Sequence, residues 1–77
     1  QRHTKEVLMK YEMITALVQD CHAKIALAKM NVYVLLNNPV GVGDHPNIME
    51  TIQLQIDIIS QNKDRLKVLQ EEFHGED

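Results

Sequence analysis

Tryptophan is absent from this chain of 77 residues, and the other aromatic side chains number three: Tyr11, Tyr33 and Phe73. Any core must therefore be aliphatic, drawn from Leu, Ile, Val, Met and Ala. Cysteine is nearly missing. Cys21 stands alone, which excludes an internal disulfide and suits a reducing, cytoplasmic setting. Basic residues are few, eight Lys and Arg against eleven Asp and Glu. They form no stripe, which argues against nucleic acid as a partner. No uninterrupted apolar run approaches the length of a membrane span, and no signal-peptide layout occurs, so neither a bilayer nor export is expected. Disorder is not expected either, because 44% hydrophobic and 25% charged residues are ordinary proportions for a folded chain.

Proline and glycine are scarce, and their position is informative. Pro39 and Pro46, with Gly41 and Gly43, fall inside Asn37–Asn47 and separate a pair of long segments of helical pattern. Pro39 disfavours helical dihedrals at Asn38, so a first helix should end near Asn37. Gly41 and Gly43 permit a reversing loop. Asp44 is a good N-cap, and Pro46 suits a first helical turn, where its missing N–H is no loss. Asn47 with Glu50 offers a second cap with capping-box spacing. The expectation is one domain, 1–77, with a helix over about 4–37, a loop over 38–46 and a helix over about 47–73. A connection this short makes the helices antiparallel neighbours.

The first segment carries a heptad seam: Val7, Tyr11, Ile14, Val18, Cys21, Ile25, Ala28, Val32 and Leu35 recur at spacings of four and three. Met13, Leu17, Leu27, Met30 and Val34 point away from it. A helix apolar over so much of its circumference is buried by more than one neighbour. The second segment reads as a seam of Met49, Ile52, Ile56, Ile59, Leu66 and Phe73, with Lys63 and Gln70 falling on seam positions. Ile48 and Leu69 flank that seam, while Leu54, Ile58 and Val68 lie off it. The Ser60–Asp64 stretch is polar on every face and falls opposite Asp20, Cys21, His22 and Lys24 if the hairpin folds about Gly41. Such a layer fixes register, as buried polar positions do in coiled coils. Nothing in it has ligand-site spacing.

Charge supports the pairing. Residues 1–37 sum to +2 and residues 38–77 to −5, although exposed pairs contribute only tenths of a kcal/mol each. The fold class expected is all-α: an antiparallel two-helix hairpin that self-associates into a four-helix bundle. The helix-pairing residues would be Val18, Ile25, Val32, Leu35, Ile52, Ile56, Ile59 and Leu66. An intermolecular face would hold Leu17, Leu27, Met30 and Val34.

Chemistry-bearing patterns are weak. Asp20-Cys21-His22 contains metal-binding residue types, but consecutive helical residues point about 100° apart and cannot converge on one ion. His22 cannot reach back to Cys21 as a base to a nucleophile. Val40-Gly41-Val42-Gly43-Asp44 places glycines before a helix start, where free N–H groups hold anions. It lacks a preceding strand and a Lys-Ser/Thr pair, and Asp44 would repel phosphate. A metal or anion site at Cys21, His22 or the Gly41–His45 loop is thus the outside alternative. The methionines Met9, Met13, Met30 and Met49 are adaptable core filler more readily than a binding groove. No cofactor and no enzymatic activity are expected. The chain reads as a protein–protein interaction or assembly module whose partner is itself, as dimer or tetramer, or another helical protein. An adaptor or inhibitor ordered by its target is the nearest competing reading.

The run Lys29-Met30-Asn31-Val32-Tyr33-Val34-Leu35-Leu36-Asn37-Asn38-Pro39-Val40-Gly41-Val42-Gly43-Asp44-His45-Pro46-Asn47, followed by an Ile/Leu-rich helix, resembles small helical-hairpin proteins encoded by tailed bacteriophages. The resemblance covers about the second half of the chain. It implies a small accessory or assembly protein and transfers no activity and no functional residue.

Overall fold

The computed structural model describes residues 2–37 and 45–73, with side chains from Thr4 and from Asn47 onward in the two segments. Two helices account for all of it except Phe73: α1, Arg2–Asn37, and α2, His45–Glu72. The protein is all-α, an antiparallel hairpin. Neither strand nor third element occurs among the described residues. The molecule measures 63 × 17 × 13 Å, a rod two helices wide and one layer deep.

Local chemistry explains the ends. α1 has no glycine or proline along its length. In its last turn the Asn37 side chain folds back onto the helix, its Nδ2 donating to the Tyr33 carbonyl oxygen at 2.8 Å. α2 begins at His45, two residues before the expected start. Pro46 therefore lies in the first turn, where an absent N–H costs nothing. Asn47 is consequently inside the helix rather than capping it, and its carbonyl accepts the Thr51 hydroxyl at 2.8 Å. Asp44 and the loop at 38–44 lie outside the described residues. At the other end Phe73 N–H donates to the Leu69 carbonyl at 3.0 Å, one bond beyond the last helical residue.

Burial follows two heptad seams. On α1 the residues removed from solvent are Ile14, Val18, Cys21, Ile25, Ala28, Val32 and Leu35, and all its other described side chains are exposed. Val7 and Tyr11, expected to extend this seam, are exposed. α1 has 36 residues and α2 has 28, an excess of about 12 Å at 1.5 Å per residue. The end of α2 reaches Tyr11 and Ile14, where Leu69 and Gln70 line a groove with them. The first turns of α1 overhang.

On α2 the seam is Ile48, Ile52, Gln55, Ile59, Asn62, Leu66 and Leu69. It shares Ile52, Ile59 and Leu66 with the expected seam. The alternate positions are rotated by one residue, so that Met49 and Ile56 are exposed, while Phe73, one residue past the end of α2, is exposed as well. Each choice of alternate positions places two apolar and two polar side chains inward. The expected one would turn Lys63 inward, whereas the observed one turns the neutral amides Gln55 and Asn62 inward, Gln55 half-buried and Asn62 buried. Burying an unpaired ammonium costs far more than burying an amide that finds a partner, so the helix turns its lysine to water. Gln55 finds its partner across the interface: Asn31 Nδ2 donates to Gln55 Oε1 at 3.1 Å. This bond also ties the register of the two helices.

Candidate interaction surface

The expected pairing residues divide as follows. Val18, Ile25, Val32 and Leu35 of α1 and Ile52, Ile59 and Leu66 of α2 are half-buried on the seam. Ile56 is not among them, because at 49% exposure it stands one position round the helix, and Gln55 occupies the seam at its level. Of the residues expected on an outer face, Leu17, Leu27, Met30 and Val34 are all more than half exposed.

Two grooves on one side of the hairpin organise that surface. Leu17, Asp20 and Cys21 of α1 line the first with Asp64, Arg65 and Val68 of α2. Lys24, Leu27, Ala28 and Asn31 line the second with Gln55 and Ile58. The second set repeats the first one heptad along α1, since Lys24, Leu27 and Ala28 follow Leu17, Asp20 and Cys21 by seven residues. Ile58 likewise precedes Arg65 by seven. The grooves therefore lie on the same side, which we call the front. Their floors are Cys21, 3% exposed, and Ala28, 2% exposed, the two buried apolar residues among those described. Small side chains at these two seam positions leave the helix walls standing above the floor.

The front is apolar at two levels. Leu17 with Val68 forms one and Leu27 with Ile58 the other, and all four side chains remain exposed. Between them lies a charged belt. Lys24 Nζ and Asp20 Oδ2 pair at 2.8 Å across one turn of α1, an exposed i,i+4 pair worth a few tenths of a kcal/mol. Asp64 and Arg65 stand beside Asp20 and make no ion pair among the described residues. The opposite side of the hairpin is more polar: its groove is lined by Thr15, His22 and Gln70 as well as by Tyr11 and Leu66.

Of the polar stretch Ser60–Asp64, one side chain is buried. Asn62 is 1% exposed, and its Nδ2 donates to the Ile58 carbonyl oxygen at 2.8 Å within its own helix. Its Oδ1 is buried without a hydrogen-bond partner. The expected polar layer thus narrows to this amide, while Ser60, Gln61, Lys63 and Asp64 face water.

The Asp20-Cys21-His22 triplet is split three ways. Asp20 lies on the front, Cys21 in the seam, and His22 on the back. Among the described residues no three His, Cys, Asp or Glu side chains come together as a metal site would require. Residues Gly41–Asp44 of the glycine loop are outside the described residues. Among those described, neither helix is long and apolar enough to cross a membrane.

Sequence reasoning noted Leu54, Ile58 and Val68 as lying off the seam but did not join them to the α1 face. The signal was present in their spacing. Leu54 and Val68 are two heptads apart, and Ile58 follows Leu54 by one turn, so all three share a flank of α2. No family model matches the chain, and searches of curated proteins and of solved structures likewise found no match.

Proposed function

We propose that this chain is a non-enzymatic interaction or assembly module that works by packing helix against helix, and that it self-associates into a dimeric four-helix bundle. The observation that carries this reading is the contrast between what is hidden and what is shown. Three described residues are buried, while Leu17, Leu27, Val34, Leu54, Ile58 and Val68 stand exposed along the front. Two helices alone have one shared seam to bury, and residual apolar surface of this extent on a small chain marks an interaction site. A small accessory or assembly role also accords with the resemblance of the loop and second helix to phage hairpin proteins.

Sedimentation equilibrium of the purified chain tests the reading. It predicts a mass that is an integral multiple, most simply twice, of the 8.9 kDa chain. A helical monomer across the micromolar range would contradict self-association. A chain that is monomeric and gains helix only on meeting a target would favour the adaptor reading instead.

A further inference from the structure

The front carries a second heptad stripe on each helix, beside the seam that joins the two. On α1 it passes from Leu17 through Asp20 and Lys24 to Leu27, at spacings of three and four. On α2 it passes from Ile58 through Gln61 and Arg65 to Val68, with the same spacings. Met13 and Val34 prolong the first stripe and Leu54 the second, and every apolar member of both is exposed. The Asn31–Gln55 bond sets the levels. Near-equal steps away from it along the two helices put Leu27 beside Ile58, Asp20 beside Arg65 and Leu17 beside Val68, the residues that share the two grooves. Both stripes therefore read alike along the rod: apolar, then polar and charged, then apolar.

Two copies can meet front to front about a two-fold axis in either of two directions. An axis parallel to the rod lays α1 of each copy on α2 of the other with no shift in level. Leu17 then faces Val68, Leu27 faces Ile58 and Asp20 faces Arg65, with Lys24 beside Asp64. An axis perpendicular to the rod lays α1 on α1 and α2 on α2, and at the level of His22 it sets Asp64 on itself. The helices differ in charge. α1, with five basic against three acidic residues, is net +2, and α2, with three against five, is net −2. The parallel axis brings together helices of opposite charge, and the perpendicular axis helices of like charge.

We infer that two copies pack front to front about the axis parallel to the rod, α1 of each on α2 of the other, with Asp20 facing Arg65. This geometry rests on the self-association proposed above and deepens it. Every helix of the resulting bundle has two antiparallel neighbours, one held by the seam within its chain and one by the front stripe across the interface. The contact is isologous, so the Asp20–Arg65 pairing occurs twice. Asp20 gives Oδ2 to Lys24 and keeps Oδ1 for a guanidinium. Arg65 makes no ion pair among the described residues, and its planar fork suits a carboxylate. Like-charge juxtaposition disfavours the other orientation.

Charge reversal in the full chain tests the geometry. D20R sets arginine against Arg65 of the second copy at both contacts, and R65D sets aspartate against Asp20. Each homodimer should be weakened by about tenfold or more, with helicity unchanged at concentrations where it is fully associated. An equimolar mixture restores opposite charges at both contacts and should form a heterodimer tighter than either homodimer. Mixing cannot relieve repulsion inside one chain, so rescue reports the contact between chains. A cross-link supplies the second readout. In a C21A background, chains carrying L17C should form the mixed disulfide with chains carrying V68C and not with chains carrying L27C. A wild-type monomer would overturn the self-association and this geometry together. A wild-type dimer whose charge variants are not rescued by mixing, or which joins L17C to L27C, would overturn the geometry alone.

Discussion

At the scale of single residues, Ile25 and Ile56 show what a rotation of one position does. Both are isoleucines in heptad pattern, but Ile25 sits in the seam and Ile56 is 49% exposed. Ile25→Ala should therefore cost about 2 kcal/mol or more, toward the lower end of the range for buried isoleucine because the site is half-buried. Ile56→Ala should cost well under that, about 0.5 kcal/mol. Urea unfolding of the two variants at equal chain concentration checks the difference, and equal losses would mean that the α2 seam is misassigned. Asn62 gives a prediction of opposite sign. Its buried, unpaired Oδ1 carries a desolvation penalty of about 1–3 kcal/mol. Asn62→Leu should stabilise the hairpin by about 1–2 kcal/mol while loosening its choice of register. A destabilised variant would show that the amide is satisfied in solution. The seam of α1 was legible from spacing because every inward position is apolar. That of α2 was ambiguous because two alternate sets contain equal numbers of apolar residues. Only the cost of burying Lys63, against the cost of burying Asn62, separates them.

At the scale of elements, the two helices and their antiparallel order were legible from the position of two prolines and two glycines alone. The overhang of α1 was not, since heptad spacing continues through Val7 and Tyr11 whether or not a partner helix runs alongside. Hydrogen exchange should reveal it. Amides in the first two turns of α1 should exchange markedly faster than those between Ile14 and Leu35, because helix without tertiary cover opens locally. Uniform protection from Thr4 onward would mean that another surface covers the overhang. The cross-helix bond from Asn31 to Gln55 could not be foreseen either. It depends on Gln55 turning inward, at a position the expected seam had assigned to Ile56.

At the scale of the whole molecule, the front is a property of the pair and not of either helix. Leu17, Leu27 and Val34 were legible as surplus on α1, and Leu54, Ile58 and Val68 as residues off the seam of α2. That they share one side follows from the rotation of α2, which the sequence pattern alone placed one residue away. The central claim is that a lone hairpin hides too little apolar surface to be stable, so that folding and association are one event. Thermal unfolding followed by circular dichroism at chain concentrations spanning two or three decades tests this most directly. The account predicts a midpoint that climbs steadily with concentration, as mass action requires when only the associated form is folded. A cooperative transition whose midpoint does not move with concentration would contradict it.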